Sequence, residues 1–239
     1  MKLSVVIPAR DEAAAIEQTV DGVVAALDAA GADFEVVVVD DGSRDGTQQA
    51  LDRLTRCDSR IHSIRRGPPP GFGDAVRQGI GAARGDAVVI VMADGSDDPA
   101  DVVEYQRLLA GGAPCVFGSR FAGGWRAPGY PRAKLILNRF ANAAIRALFR
   151  HGYDDTTNAF KAYRRDVLED VGPLRSSGFE LTVELPLKVV LRGHDFATPR
   201  IRWHDRSAGR SKFRFHSAVG YVPVVVRLLL ERRNRSAVT

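Results

Sequence analysis

Short apolar runs alternate with amphipathic segments through the first half of the chain, and this alternation limits the possible folds more than any other feature. The apolar runs have the length of buried strands, and the clearest are residues 3–7, 34–39, 87–92 and 114–117. A weaker run at residues 61–64 lies between the second and third of these. Between the runs, apolar residues recur at helical spacing, as in Ile16, Val20, Val23, Val24 and Leu27. The pattern predicts an α/β fold in which helices cover both faces of a mainly parallel sheet.

The loops that follow three of the predicted strands are rich in acidic residues. Their sequences are PARDE at residues 8–12, DDGSRDGT at residues 40–47 and ADGSDDP at residues 93–99. Ligands of parallel sheets bind beyond the carboxyl ends of the strands, where these loops would meet. The first loop lacks the G-x-G-x-x-G pattern, which disfavours a dinucleotide site of that type. Acids at such an edge repel phosphate unless a divalent cation lies between them, so we expect Mg²⁺ or Mn²⁺ to bridge a diphosphate here.

The acidic residues of these loops have two possible roles, as turn or cap residues and as ligand-binding groups. Asp98 precedes Pro99, an order typical of a helix N-cap followed by proline at the first helical position. Asp45 is also predicted to be a turn or cap residue. Asp40 and Asp94 each come at the end of an apolar strand on the expected binding edge, so we predict that these two bind the ligand.

Charge is distributed unevenly along the 239 residues, although the net charge is only +5. Residues 1–104 contain 10 basic and 19 acidic side chains, whereas residues 105–239 contain 24 basic and 10 acidic ones. The first part is thus suited to holding a cation and the second to contacting anions. The pI of about 9.5 raises the alternative of a non-catalytic protein that binds nucleic acid. No nucleic-acid-binding motif is present and aromatic residues make up only 8%, so we expect no nucleic-acid partner.

Cysteine content and hydropathy limit the expected environment of the chain. Cys57 and Cys115 are its only cysteines, so we expect neither a disulfide framework nor a structural zinc site, and a reducing compartment fits. The first residues lack the apolar stretch of a signal peptide, and no run approaches the roughly 18 apolar residues of a spanning helix. We therefore expect a cytoplasmic protein that is soluble or lies on a membrane surface.

Two segments of the basic part bear on contact with a membrane. Arg132, Arg139, Arg146 and Arg150 are spaced by seven, seven and four residues, which keeps them on one stripe of a helix. With its apolar neighbours this stripe predicts either an interfacial amphipathic helix or a helix that packs on the core, and both remain open. Residues 218–230 are apolar but too short to span a bilayer. We therefore expect peripheral attachment, at the inner face of the plasma membrane.

The order of several motifs resembles a known enzyme family. SVVIPARDE at residues 4–12, followed by VVDDGS at residues 38–43, resembles the opening of family 2 glycosyltransferases, which have the Rossmann-like GT-A fold. Three later segments narrow the resemblance to the dolichol-phosphate mannosyltransferase-like, or polyprenyl-phosphate, branch of that family. They are GSRF at residues 118–121, TNAFKAYR at residues 157–164 and RSAGRSK at residues 206–212.

The resemblance also implies a division of the chain. Residues 1–217 would form a single GT-A domain, in which residues 1–104 bind the nucleotide sugar and metal and residues 105–217 bind the acceptor. Residues 218–239 would form an amphipathic, basic C-terminal tail, so that interfacial helices follow the α/β domain.

The donor site implied by the resemblance lies in the first half. The residues that would border the donor are Pro8, Ala9, Arg10, Glu12 and Ala93. Asp40 would hydrogen-bond the base of the nucleotide. Asp94 matches the last acid of the family's D-x-D metal motif and is the expected catalytic residue, but Met92 stands in place of the first acid. Since methionine is a poor ligand for a hard cation, the metal site would depend on Asp94, with Ser96 and Asp97.

The acceptor implied by the resemblance is the phosphate of a long isoprenoid lipid, and the sugar would come from GDP-mannose or a UDP-sugar with inversion. An ionised phosphate is already a nucleophile near neutral pH, so a protein base is not required. By resemblance, Arg120 and Arg132 would contact the acceptor phosphate. Arg206, a second expected catalytic residue, would lie with Ser211 and Lys212 on a loop that closes over the diphosphate.

The nearest alternative keeps the same donor but transfers the sugar to a hydroxyl of a saccharide or small molecule. A hydroxyl acceptor requires a carboxylate base close to it. Four acidic residues are candidates for that base: Asp154, Asp155, Glu180 and Glu184. Asp155 and Glu184 also match family positions, with no role assigned.

Overall fold

A computed structural model describes residues 1–122, 132–202 and 220–236, without the side chains of residues 132–134, 137 and 234–236. The described part contains a sheet of six strands, in the order β3-β2-β1-β4-β6-β5. The strands are β1 (Leu3–Ala9), β2 (Phe34–Asp40), β3 (Ile61–Arg65), β4 (Ala87–Ile90), β5 (Cys115–Phe117) and β6 (Lys161–Arg164). The helices are α1 (Ile16–Ala29), α2 (Thr47–Cys57), α3 (Phe72–Ala82), α4 (Pro99–Ala110), α5 (Arg132–Phe149), α6 (Arg165–Asp170), α7 (Leu181–Arg192) and α8 (Tyr221–Ser236).

Strands β1 and β2 are buried at every position because helices cover both faces of the sheet. Alternate residues point to opposite faces, so Val36 packs in a cluster with α1, α2 and α4, while Val37 packs with α3. The strands are therefore runs of apolar residues rather than alternating patterns. Strands β3, β2, β1 and β4 are parallel neighbours, which confirms the predicted α/β fold with a mainly parallel sheet.

Helix α3 approaches the sheet closely at a glycine. A Cβ atom at Gly79 would lie 2.4 Å from Cγ1 of Val6 in β1. Because such an approach is shorter than any normal carbon contact, only glycine allows α3 to pack at this distance. This contact fixes the helix on the face of the sheet opposite α1.

The second half of the sheet departs from the expected pattern. Strand β6 is antiparallel to both of its neighbours, β4 and β5. The predicted strand at residues 114–117 is β5, but it joins the sheet through β6 rather than beside β4. The sequence does not predict strand β6, KAYR, because a four-residue segment with two basic residues has no strand pattern of its own.

The C-terminal helix α8 packs on the rest of the protein. Its residues Tyr221, Val224 and Leu228 share a buried cluster with Val183 and Leu187 of α7. Within the described residues, no helix is both long and apolar enough to cross a membrane. The division of the chain at residue 217 stays a prediction.

Candidate functional site

The predicted donor-site residues lie at one edge of the sheet. Ala9 and Asp40 are paired at the ends of the parallel strands β1 and β2. Strand β4 is the other neighbour of β1, and the segment containing Ala93 and Asp94 follows it. The hydroxyl of Thr19 in α1 donates to the carbonyl oxygen of Ala93 at 3.2 Å, which anchors that segment. The structure thus brings together the three strand ends that the sequence indicates.

The loops after β1 and β2 are tied to each other by side-chain caps. The amide of Asp11 donates to Oγ of Ser43 at 2.9 Å, and the amide of Glu12 donates to Oγ1 of Thr47 at 2.9 Å. Asp45 accepts from the amide of Thr47 at 2.9 Å, which confirms its turn role. The side chain of Arg10 is largely exposed, with Nε 3.8 Å from Oδ2 of Asp11. The two bonds to Ser43 and Thr47 fix the backbone around Glu12.

Asp40 is fully buried at the carboxyl end of β2. Its Oδ1 accepts from the amide of Ser43 at 2.9 Å. Its Oδ2 is buried without a hydrogen-bond partner among the described residues, and Nε of Arg65 lies 3.8 Å from it. Leaving a buried carboxylate oxygen without a donor is costly, so this atom is suited to accept an N–H group from a ligand.

The segment after β4 is folded around its own acidic residues. Oδ1 of Asp94 accepts from the amide of Ser96 at 3.1 Å and from its hydroxyl at 2.6 Å. Gly95 between them has a φ of 72°, in the left-handed region that favours glycine. Oδ2 of Asp97 accepts from the amide of Met92 at 2.9 Å. Asp98 caps α4 through the amide of Ala100, which confirms the predicted N-cap.

The electrostatics of this segment suit a cation. Burial, together with the nearby charge of Asp94, raises the pKa of Asp97 to about 7. The described residues include no cluster of three or more His, Cys, Asp or Glu side chains that could hold a metal ion. Two carboxylates and the hydroxyl of Ser96 are nevertheless hard oxygen donors, a set that fits Mg²⁺ or Mn²⁺ when phosphate oxygens and water complete the coordination.

Arg120 forms a buried ion pair with Asp155. Its Nε donates to Oδ2 at 2.8 Å, its Nη2 donates to Oδ1 at 2.7 Å, and its backbone amide donates to Oδ2 at 3.0 Å. The charge of Arg120 also lowers the pKa of Asp97, so this arginine is close to the acidic segment after β4. Asp155 therefore orients Arg120 close to the acidic segment after β4. The binding of an acceptor phosphate by Arg120 stays a prediction.

Lys161 in β6 is a buried lysine within the segment TNAFKAYR, but nothing in that segment predicts a role for it. Its Nζ donates to the carbonyl oxygens of Thr156 at 3.0 Å and Thr182 at 3.3 Å, and also to that of Asn158. Burial lowers the pKa of Lys161 to about 7, against the opposing charge of Asp155. Since no local pattern distinguishes it from a surface lysine, only the pairing of β6 in the sheet reveals its place.

The four candidate bases are all engaged in hydrogen bonds within the protein. Asp154 accepts from the hydroxyl of Ser119 at 2.6 Å, and Glu180 from the amide of Gly178 at 3.2 Å. Asp155 is paired with Arg120. These contacts hold three of the carboxylates to neighbouring segments.

Glu184, the fourth candidate, is fully buried in α7. It accepts from the amides of Arg175 and Ser176, at 3.0 and 2.7 Å, and pairs with Arg227 of α8 at 2.8 Å. Burial raises the pKa of Glu184. The hydrogen bonds from Ser176 and Arg175 and the charge of Arg227 lower it by more, so the net shift of the pKa is downward. Glu184 thus joins α7 and α8.

The remaining predicted site residues are not placed. Arg206, Ser211 and Lys212 lie outside the described residues, and of Arg132 only the backbone at the start of α5 is described. A cavity of about 190 Å³ lies elsewhere, lined by residues of α7, α8 and the segment after α6. None of the predicted site residues lines it.

Helices α5 and α8 each have an apolar inner face and an outer face with exposed apolar residues. The inner residues Ile145 and Phe149 of α5 are buried with α7 and α8. The exposed apolar residues are Ile136, Phe140 and Leu148 in α5 and Val222, Val226 and Leu230 in α8. We call these six residues the outer apolar face. Helix α5 therefore packs on the core, as one interpretation predicted, and retains an exposed apolar surface, as the other required.

Comparison with known proteins identifies the family of the chain. The model of the family described as "Glycosyl transferase family 2" matches residues 4–172, which include the three loops, Arg120 and Asp155. The chain belongs to glycosyl transferase family 2. The resemblance seen in the sequence is thus confirmed, and the protein is a glycosyltransferase.

Two curated relatives are similar over most of this family 2 glycosyltransferase. Polyprenol monophosphomannose synthase of Mycolicibacterium smegmatis is 34% identical over 183 residues, which cover 74% of this chain and 69% of the relative. Glycosyltransferase AglD of Haloferax volcanii is 34% identical over 172 residues, which cover 71% of this chain but only 27% of the relative.

Solved structures of glucosyl-3-phosphoglycerate synthase from Mycobacterium tuberculosis have the same fold. One of them, with phosphoglyceric acid, has a TM-score of 0.72 at 22% identity and covers 97% of this chain and 79% of that one. Others of the same enzyme contain UDP with Mn²⁺ or with Mg²⁺. The likeness confirms the expected GT-A fold of this family 2 glycosyltransferase.

Proposed function

We propose that this glycosyltransferase moves a sugar residue from a nucleotide-diphosphate sugar to the phosphate of a polyprenyl lipid. The observation that carries the proposal is the 34% identity to polyprenol monophosphomannose synthase, which extends over 74% of the chain. The name of that relative states both a polyprenol acceptor and a mannosyl group. It agrees with the acceptor expected from the sequence motifs, and it favours GDP-mannose over a UDP-sugar as donor.

The donor would occupy the edge formed by the ends of β1, β2 and β4. The backbone of Pro8, Ala9 and Glu12 borders this edge. Oδ2 of Asp40, which has no hydrogen-bond partner among the described residues, would accept an N–H group of the base. Asp94, Asp97 and Ser96 would hold Mg²⁺ or Mn²⁺. When bound, the metal ion neutralises charge on the diphosphate that leaves.

The acceptor phosphate would attack the anomeric carbon from the side opposite the diphosphate. A new bond forms between a phosphate oxygen and that carbon, while the bond from the carbon to the diphosphate oxygen breaks and the electron pair leaves with the nucleotide. The configuration is inverted. Because an ionised phosphate needs no deprotonation, the engagement of all four candidate carboxylates in other contacts is compatible with this reaction.

Positioning two anions against each other is then the main task of the protein. Arg120 is held at the meeting point of the acidic segment and the basic half, and its planar guanidinium suits a phosphate. Arg132 would contact the same phosphate, and Arg206, Ser211 and Lys212 would close over the diphosphate. On this assignment residues 1–104 bind donor and metal, and residues 105–217 bind the acceptor.

The outer apolar face would attach the enzyme to the membrane that holds its lipid acceptor. Ile136 and Phe140 are 71% and 75% exposed, so their contact with lipid requires no rearrangement of α5. Arg139 and Arg146 are exposed on the same helix and would contact anionic headgroups. The attachment would be peripheral, at the inner face of the plasma membrane.

The proposal is tested by incubating purified protein with labelled GDP-mannose, UDP-glucose or UDP-galactose, in the presence of Mg²⁺ or Mn²⁺. Each donor is offered with undecaprenyl phosphate, with 3-phosphoglycerate or with free mannose, and the products are separated by organic extraction. We expect label in the organic phase with undecaprenyl phosphate for one donor. Transfer only to the water-soluble acceptors would overturn the lipid part of the proposal.

A further inference from the structure

A polar cluster joins helix α5 to the turn that contains Asp155. Oδ1 of Asn142 accepts from the amide of Thr157 at 3.1 Å, and its Nδ2 donates to Oγ1 of Thr157 at 3.2 Å. The hydroxyl of Thr157 donates in turn to Oδ1 of Asn138 at 2.8 Å. Asn142 itself is buried, while Asn138 and Thr157 are partly buried. These bonds connect the inner face of α5 directly to the backbone of the turn at residues 154–158.

The same turn is fastened on its other side to residues 118–121. Three contacts make this connection. The hydroxyl of Ser119 donates to Asp154 at 2.6 Å, Nδ2 of Asn158 donates to the carbonyl oxygen of Gly118 at 2.9 Å, and Asp155 forms the ion pair with Arg120. Thr157 therefore belongs to the turn at residues 154–158, and the position of this turn determines where the guanidinium of Arg120 lies.

A second contact links α5 to Arg120 through an aromatic ring. The guanidinium carbon of Arg139 lies 5.2 Å from the centre of the Phe121 ring, and that of Arg120 lies 5.5 Å from it. Both distances are within the range of cation–π contacts. Helix α5 thus reaches Arg120 by two routes.

Packing alone does not explain asparagine at position 142. Asparagine is a poor helix former, and its buried amide requires partners on every polar atom. The neighbouring inner positions Ile145 and Phe149 are apolar and pack against α7 and α8. A buried polar group that is fully bonded specifies one arrangement of the segments it joins. Asn142 therefore serves the arrangement of α5 relative to the turn.

We propose that Asn142 is a positioning residue that sets Arg120 at a fixed height above the lipid surface, acting through Thr157 and Asp155. The inference rests on the proposed function, since it takes Arg120 as the group that meets the acceptor phosphate. The outer side of α5 carries Ile136 and Phe140, and the phosphate of a polyprenyl lipid lies at the surface of the bilayer. A helix that lies on the bilayer and is bonded to the arginine's support holds the cation at the level of that phosphate.

The kinetic test separates the acceptor from the donor. In Asn142→Leu, the amide of Thr157 loses its acceptor. We therefore expect the KM for undecaprenyl phosphate to rise by about fivefold to tenfold, the effect of one lost hydrogen bond. The KM for the nucleotide sugar should stay within about twofold, because the donor loops do not contact α5 through this cluster. Thr157→Val keeps the bond from its backbone amide to Asn142 and loses only the hydroxyl contacts, so we expect a smaller rise in the KM for undecaprenyl phosphate. Thr157→Ser, which keeps the hydroxyl, should have the wild-type KM.

Ile145→Ala provides the matched control. It removes a buried side chain one turn further along the same face of α5 but leaves the polar cluster intact. If the link is specific, Ile145→Ala lowers stability without raising the KM for the lipid phosphate. An equal rise in that KM for Ile145→Ala, or a joint rise in both KM values for Asn142→Leu, would overturn the proposal.

Hydrogen exchange tests the connection between Asn142 and Arg120 without any acceptor present. The amide of Arg120 is bonded to Oδ2 of Asp155, so its exchange reports on the support of the guanidinium. The quantity to compare is the ratio of the exchange rate of the Arg120 amide to that of the Val38 amide in β2. We expect Asn142→Leu to raise this ratio and Ile145→Ala to leave it unchanged. An unchanged ratio in Asn142→Leu would reject the link. If the wild type transfers no sugar to lipid phosphate, the proposed function fails while the exchange result still decides the link.

Discussion

Asp155 binds the guanidinium of Arg120 along one edge, with its two carboxylate oxygens 2.8 and 2.7 Å from Nε and Nη2. The carboxylate is fully buried and the arginine side chain is only 10% exposed. A planar fork held in this way has one fixed orientation, so the cation needs no reorganisation when an anion approaches. The two residues are 35 positions apart in sequence, and their pairing joins the segment after β5 to the turn before β6.

Asp155→Asn should destabilise the protein strongly, because it removes the carboxylate charge that pairs with the buried guanidinium of Arg120. Loss of one member of a buried ion pair typically costs about 3 to 5 kcal/mol, and we expect the free energy of unfolding to fall by about 3 kcal/mol. Urea denaturation followed by circular dichroism measures this change.

Glu104→Gln is the matched control for that measurement. Glu104 forms an equally short pair with Arg107, at 2.7 Å, but on the exposed surface of α4. Exposed pairs contribute about 1 kcal/mol or less, so the control should lose little stability. Similar losses in the two variants would show that the pair of Asp155 and Arg120 contributes no more to the free energy of unfolding than an exposed pair.

Asp94→Ala should remove the effect of metal on nucleotide binding. In the wild type, Mn²⁺ bridging the acidic segment and the diphosphate should increase the rise in Tm produced by GDP or UDP, because ligand binding to the folded state stabilises it. Asp94→Ala should abolish the part of this rise that depends on Mn²⁺ and lower turnover by at least about 100-fold, the loss expected when a charge-stabilising group is removed.

Asp98→Ala tests whether that loss is specific to position 94. It removes another carboxylate of the same segment, one that caps α4 through the amide of Ala100. We expect a loss of stability of about 1 kcal/mol, typical of an N-cap, while the response to Mn²⁺ persists. If Asp98→Ala loses the Mn²⁺ response and Asp94→Ala retains it, the metal site has been assigned to the wrong aspartate.

The first half of the fold could be predicted from the sequence because its signals are local. Strands β1 and β2 are unbroken apolar runs, and a parallel sheet necessarily places their carboxyl ends at one edge. That single rule is sufficient to place Asp40 and Asp94 at the same edge from the amino-acid sequence alone. The cap at Asp98 is equally local, since it depends on the order of neighbouring residues.

The second half of the fold could not be predicted in the same way, because its arrangement depends on distant partners. Strand β6 is short and partly basic, and it is a strand because β4 and β5 offer hydrogen bonds on both sides. Burial of Lys161 follows from that pairing. The predicted role of Arg120 depends on a motif, and no local pattern indicates that Asp155 binds it.

Lys161 should make stability depend on pH above neutrality. Its pKa is about 7 in the folded protein, against an ordinary value of 10.5. Between these values the unfolded chain binds more protons at this site, so the free energy of unfolding contributed by Lys161 rises with pH and is lowest below pH 7. Relative to Lys161→Met, the wild type should gain up to about 1.4 kcal/mol per pH unit between pH 7 and 9. Urea denaturation at pH 6, 7, 8 and 9 checks this, and parallel curves for the two proteins would contradict it.

Phe140→Glu should weaken attachment to membranes while leaving the fold intact. The ring of Phe140 is 75% exposed, so its removal changes no core contact. Burial of a phenylalanine side chain is worth about 2 kcal/mol, so vesicle binding should fall at least about tenfold. Co-sedimentation with vesicles containing phosphatidylglycerol measures the binding.

Gln49→Glu is the control: it introduces the same charge at an exposed position in α2 and should bind like the wild type. If charge alone governed attachment, both variants would lose affinity equally and high salt would release the wild type completely. We expect instead that part of the wild-type binding survives high salt, because the outer apolar face is not screened by ions, and that Phe140→Glu specifically loses this salt-resistant part.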